Sequence, residues 1–305
     1  MIGDPPLTGI RRVALGVRDL DASVDFYTTT WGLDAVSSAG DLVHLAAAGS
    51  EEPYVLRLRR SDVDRLDFLT LAARDRPAVD EVVARVEVAG SEVLARPGAV
   101  DAPGGGYGAR FLDPEGRVIE VVADVSPRQA RRLQPTESVP VGLSHIVLNS
   151  VDVAGMQAFL TEVLGLRVSD YLEDKMVFLR CRQLHHTIAL GRAPHVNVNH
   201  VAFEVLGVDE FMRATGRLLR AGHELVWGPG RHGPGDNTFA YFRDPNHFIT
   251  EFTTGLEVIA DESTWEPRVY RSVPEESDRW GTSNPRPAAP FVGAPDLGVG
   301  TAPPV

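Results

Sequence analysis

The 305-residue chain is long enough for one large domain or two of about 150 residues, and its 43% hydrophobic and 24% charged content is that of an ordinary soluble globular protein. A net charge of −12 argues against nucleic acid as the main partner and makes a large anionic substrate less favourable. No apolar run approaches the ~18 residues that cross a bilayer, the start MIGDPPLTGIRR has no apolar h-region, and the single Cys181 fits a reducing cytoplasm, so neither membrane nor signal peptide is expected.

From about Ile10 the pattern reads strand, helix, strands. Arg12 to Val17 is a strand, Asp21 can cap a helix that ends near Gly32, and β-type runs follow around Leu42–Ala47 and Tyr54–Leu58. A second unit opens at Leu66–Leu71, continues through a helix at Pro77–Ala89, and closes with Gly108–Phe111, Asp113-Pro114 and Val118–Val122. The polar, proline-bearing stretch 125–141 reads as a linker between a first half, 8–124, and a second, 142–255.

The pattern then restarts. Leu143–Leu148 is a strand, Asp152 or Ser150 caps a helix ending at Gly165, and strands are expected near Lys175–Leu179 and His186–Leu190. A fourth unit opens at Asn199–Val205, runs through a helix at Val208–Ala221, and closes with the glycine-rich stretch Gly230–Glu251. Spacing supports a duplication. Arg12 precedes Gly32 as His145 precedes Gly165, and Asp113-Pro114 leads Glu120 as Asp244-Pro245 leads Glu251. Two βαβββ units per half are expected. Residues 256–305 form a tail in which Arg279-Trp280-Gly281 is a candidate lid over the site, and the last twenty or so residues are expected to be loosely held.

Of nine histidines, eight lie at or after His145, which places the chemistry in the second half. His145, His200 and Glu251 fall at equivalent strand positions of units three and four. On the concave face of a rolled sheet they offer an ion two imidazoles and a carboxylate on one side, a set that suits Fe(II) with positions left for substrate and dioxygen. A carboxylate in an apolar strand is otherwise costly. In the first half Arg12 stands in the place of His145, Asp67 or Phe68 in that of His200, and Glu120 in that of Glu251, so one metal per chain is expected. His186 is a candidate for passing a proton between substrate and oxygen, with His185 its exposed neighbour, and His232 and Tyr241 are candidates for bonding a substrate oxygen. His195, His223 and His247 receive no role.

These residues, with HHTIAL, NHVAFEV and GRHG…Y…DP…E, resemble the type I extradiol ring-cleavage dioxygenases of the vicinal oxygen chelate superfamily over about residues 8–255. The resemblance implies an α+β fold of four βαβββ modules paired into two vicinal-oxygen-chelate domains, each a rolled mixed sheet. It implies His145, His200 and Glu251 as metal ligands for Fe(II), with Mn(II) compatible, His186, His232 and Tyr241 as catalytic residues, and dioxygen as co-substrate. The expected partner is a small aromatic diol, and by analogy a second copy of the chain. Ala240 and His247 depart from the usual closing signature, at positions that are not ligands. The run from Trp227 to His232 is similar to the homoprotocatechuate branch, but an arginine is expected at Trp227 in members taking a carboxylate-bearing catechol. An aromatic there favours an apolar or aryl substituent, with Arg231 or Arg279 left as candidates for an acid group. Three other readings fit parts of the pattern: a metal-dependent isomerase or thiol transferase of the same superfamily, a hydroquinone-cleaving dioxygenase, and a small-aromatic binding protein.

Overall fold

The computed structural model describes residues 5–134 and 136–285; the terminal stretch expected to be loosely held lies outside them. Four βαβββ modules follow one another. The first is β1 (Leu7–Val17), α1 (Leu20–Asp25, continuing as a π-helical stretch Phe26–Trp31), β2 (Asp34–Ala39), β3 (Leu42–Ala46) and β4 (Leu56–Arg60). The second is β5 (Arg65–Ala73), α2 (Arg76–Val88), β6 (Val93–Ala99), β7 (Tyr107–Leu112) and β8 (Val118–Ala123). The third is β9 (Gly142–Ser150), α3 (Val153–Ala158, continuing as Phe159–Val163), β10 (Arg167–Leu172), β11 (Met176–Arg180) and β12 (Ile188–Arg192). The fourth is β13 (Asn197–Glu204), α4 (Val208–Arg220), β14 (Leu225–Arg231), β15 (Thr238–Arg243) and β16 (Ile249–Thr253), after which come β17 (Arg268–Tyr270) and α5 (Pro274–Ser277).

Modules pair within each half. The first sheet runs β2-β3-β4-β1-β5-β8-β7-β6 and the second β14-β15-β16-β13-β9-β12-β11-β10-β17, so β1·β5 and β9·β13 are the central antiparallel joints. Asp19, not Asp21, caps α1 by accepting from the Ala22 N–H, because the chain turns two residues earlier than its charge pattern suggests. Strand β14 runs into the start of the glycine-rich stretch, ending at Arg231, and its register slips around Gly228 and Pro229.

The two halves share one apolar core. Trp31, fully buried, stacks on Phe252 with centroids 3.7 Å apart and planes at 9°. The turn after β15 is tied to the first half as well. Asp244 accepts the Asn246 and Phe248 N–H groups, its other oxygen lies 3.2 Å from the Tyr27 hydroxyl, and the Asn246 amide donates to Ser23 Oγ. Strand β16 is thus fixed from behind by the other half of the molecule. No helix among the described residues is long and apolar enough to cross a membrane.

Candidate metal centre and pocket

Register builds the site. Trp227 pairs with Tyr241, Tyr241 with Glu251, Glu251 with Ala202, and Ala202 with His145, so these five residues form one row across β14, β15, β16, β13 and β9. Two residues before Ala202, on the same face, stands His200. Alternation sends Glu251 to this face and Phe252 to the opposite one, against Trp31.

His145, His200 and Glu251 are all buried, and each offers a ligand atom within 4.8 Å of the others. Glu251 Oε2 lies 3.2 Å from His145 Nε2 and 3.1 Å from His200 Nε2. The surroundings set the ring orientations. Asn199 Oδ1 accepts from His200 Nδ1 at 2.7 Å, and the Asn199 amide is itself anchored on Asn149 Oδ1 at 2.8 Å. With its proton on Nδ1, His200 turns the Nε2 lone pair toward the carboxylate. Ser144 Oγ holds His145 Nδ1 at 3.0 Å in the same manner.

Burial pushes the Glu251 carboxyl up and, with Arg182 and His185 nearby, His145 down to about 3; His200 is also lowered by burial. Both Glu251 oxygens are buried without a hydrogen bond of acceptable geometry. Lone pairs of two neutral imidazoles and a carboxylate facing one another at 3.1–3.2 Å repel unless a cation lies among them. The donor set fits a divalent metal ion, with two nitrogens and one carboxylate as ligands.

These groups open on a pocket of about 630 Å³ including its mouth. Its wall is largely apolar, with Val147, Leu172, Met176, Phe178 and Trp227, and its polar members include His186, Asn199, His232 and Tyr241. The His186 ring centroid is 4.1 Å from that of His145, and burial together with the surrounding histidines holds His186 well below the usual imidazole range. His232 Nδ1 donates to the Ser277 carbonyl at 3.1 Å, so its Nε2 accepts from the Tyr241 hydroxyl at 2.8 Å.

Four sequence expectations need correction. His186 stands before β12 rather than on it, since that strand begins at Ile188. His185 is fully buried, not exposed: its ring bonds Asp170 and His186. Arg231 and Arg279 do not line the pocket, because both are engaged by Asp236, at 2.8 and 2.9 Å. Trp280, the centre of the candidate lid, is 41% exposed; the nearer Glu276 and Ser277 line the mouth instead. Among the residues missed, Asn199 had a visible signal in the N-V-N-H run, whereas Phe178 and Ser277 had none, reaching the site only through long-range pairing.

The corresponding row of the first sheet is Ala95, Arg110, Glu120, Thr70 and Arg12, and Phe68 rather than Asp67 takes the place of His200. Glu120 there receives Thr70 Oγ1 at 2.7 Å and Arg110 Nε at 2.9 Å, with Arg12 Nη2 3.5 Å away. Guanidinium groups occupy the place that a metal would take.

Compared with known proteins, residues 9–121 and 142–252 match the model of the Glyoxalase/Bleomycin resistance protein/Dioxygenase superfamily. The chain is 29% identical over 198 residues to metapyrocatechase 2 of Cupriavidus necator, covering 58% of this chain and 62%, under two thirds, of that protein. It is 26% identical over 280 residues to the manganese-dependent 2,3-dihydroxybiphenyl 1,2-dioxygenase of Geobacillus genomosp. 3, covering 84% and 87%. Among solved structures, the Mn(II)-bound glyoxalase from Novosphingobium aromaticivorans superposes with a TM-score of 0.93 at 42% identity over 97% of both chains.

Proposed function

The chain belongs to the Glyoxalase/Bleomycin resistance protein/Dioxygenase superfamily, and within it we propose that this protein is an extradiol dioxygenase that opens an aromatic vicinal diol with both atoms of O2. The observation that carries the reading is the set of three groups beside the ligand triad. His186, His232 and Tyr241 line the same apolar pocket as His145 and His200. An isomerase or thiol transferase needs a metal but not this arrangement of proton-handling groups.

His145, His200 and Glu251 would hold a divalent ion, Fe(II) or Mn(II), which would supply Lewis acidity toward the diol oxygens and a path for electrons from the diol to dioxygen. The protein's own residues do the rest. The Tyr241–His232 pair takes up the proton of a diol hydroxyl and directs the oxygen by hydrogen bonding. His186, neutral because burial and its histidine neighbours disfavour the charged form, accepts a proton and returns it to the product oxygen. Val147, Leu172, Met176 and Phe178 exclude water from the ring. Diol and O2 together balance the ring-opened product, so no further reductant is needed.

Pocket chemistry also selects the ring substituent. Trp227 is buried with its plane parallel to Tyr241, at 5.8 Å and 2°, and both nearby arginines are committed to Asp236. An apolar or aryl substituent is therefore favoured over a carboxylate. The test is oxygen uptake by metal-loaded protein with catechol, 3-methylcatechol, 2,3-dihydroxybiphenyl and homoprotocatechuate. Uptake is expected, strongest with an apolar substituent and weakest with homoprotocatechuate.

A second reading rests on one observation, the 42% identity to the Mn(II)-bound glyoxalase. On that reading the loaded protein takes up no oxygen with any diol, and instead acts on a non-oxygen-dependent substrate such as a thiol adduct.

A further inference from the structure

Behind the pocket lies a buried chain of three side chains. Asp170 on β10 is fully buried, and its Oδ2 lies 2.9 Å from His185 Nε2. His185, equally buried, places its Nδ1 2.9 Å from the Nδ1 of His186. The His185 backbone is clamped at both ends, its N–H donating to the Glu257 carbonyl and its carbonyl accepting from Ser169 Oγ. The ring is boxed in too. A Cβ at Gly235, where φ is +77°, would stand 3.0 Å from His185 Nδ1.

The donor count fixes the protons. An ionised Asp170 only accepts, so His185 Nε2 carries hydrogen. Asp170 already receives the Arg268 N–H at 2.7 Å and its guanidinium at 3.1 Å, so its charge is met without a second cation. A neutral His185 then has a bare Nδ1, which must accept from His186 Nδ1–H. That leaves His186 with Nε2 as its remaining nitrogen, a lone pair ready to take a proton from the pocket.

We propose that Asp170 and His185 form a tautomer-setting relay that keeps His186 protonated on Nδ1 and bare on Nε2, so that both act as positioning residues for the proton-handling step. The inference deepens the dioxygenase reading and rests on it for its kinetic consequence, though not for its geometry. The same cluster, with Glu257, has the composition of a second cation site, but the Arg268 guanidinium already bridges Asp170 and Glu257, at 3.1 and 2.9 Å.

Asp170→Asn tests the relay. Its amide oxygen stays on the Arg268 N–H, its NH2 faces His185 Nε2, and Arg268 keeps Glu257. His185 must then carry its proton on Nδ1, which forces His186 to move its own to Nε2, the wrong side for accepting. In hydrolytic Ser-His-Asp triads the same carboxylate-to-amide exchange leaves the geometry intact but puts the imidazole in the wrong tautomer and lowers turnover.

The measurement is the imidazole 15N spectrum of metal-free protein, with His186→Gln identifying the His186 signals. Wild type is expected to show a protonated Nδ1 and a bare Nε2 on His186, and Asp170→Asn the reverse. In the metal-loaded enzyme, Asp170→Asn is expected to lower kcat about 100-fold with KM for the diol and metal content nearly unchanged. Wild-type His186 protonated on Nε2, or an imidazolium at His185, overturns the relay even if the variant does not fold. So does a variant that keeps the Nδ1–H tautomer. Wild type that shows the expected tautomer but consumes no oxygen contradicts the dioxygenase reading alone.

Discussion

His145, Glu251 and His186 differ in what they should lose. His145→Ala or Glu251→Ala removes one of three ligands, so metal measured after dialysis is expected to fall from one ion per chain to almost none. His186→Ala should keep its metal and lower turnover by roughly 100-fold or more, the range of a lost acid–base group. Metal retained in both ligand variants would refute the assignment. His44 gives a pH test away from the site. Burial, with Arg57 and Arg12 close by, lowers it from 6.5 to about 4. The unfolded chain therefore binds the proton more readily than the fold does. The stability His44 brings is complete above pH 6.5 and is lost as pH falls toward 4. His44→Phe should flatten the decline in thermal midpoint across that window; an unchanged slope would count against a buried neutral imidazole.

At this scale the sequence was informative wherever a residue type contradicted its surroundings. A carboxylate and two imidazoles in apolar strands announce a partner, which is why the clustering of His145, His200 and Glu251 could be read. In His185-His186 the signal is ambiguous, because adjacent residues alternate only on a regular strand and this pair precedes β12. The buried Asp170 that draws His185 inward lies fifteen residues away, out of reach of local pattern. Arg231 and Arg279 misled because the fold turns both guanidinium groups onto one carboxylate, Asp236, five and forty-three residues away.

Elements carry the site through one row of register. A slip by one residue in β16 would turn Glu251 away from the histidines and put Phe252 in its place. What prevents the slip is the first half of the chain, through the Trp31–Phe252 stack and the Tyr27–Asp244 contact. Trp31→Ala should cost about 3–5 kcal/mol in urea unfolding, and should weaken metal retention although Trp31 touches no ligand. A loss below about 1 kcal/mol would mean that the stack does not hold the strand. The four modules were legible because each repeats a strand followed by a helix, and the second and fourth close on an Asp-Pro turn. Strands β2, β6 and β10 were not, as Asp34–Ala39 is mostly exposed, Val93–Ala99 contains proline and glycine, and Arg167–Leu172 mixes charge into its run.

On the scale of the molecule, the duplicated sheets keep one geometry and two chemistries. The same five-strand row ends in arginine, threonine and glutamate in one half, and in histidine, alanine and glutamate in the other. Fixed guanidinium charge satisfies Glu120, whereas Glu251 needs an exchangeable cation. One bound ion per chain follows, with neither the first sheet nor the Asp170 cluster adding a second. Two ions per chain at saturation would contradict it.

The most direct test follows both atoms of dioxygen. Metal-loaded protein would be given 2,3-dihydroxybiphenyl under 18O2, with consumed oxygen, consumed diol and product mass recorded together. One O2 used per diol, and a ring-opened product carrying two 18O atoms before exchange with water, is the predicted result. A protein that holds its ion in the His145–His200–Glu251 site yet uses no oxygen, or releases label as peroxide or water, contradicts ring cleavage at this centre.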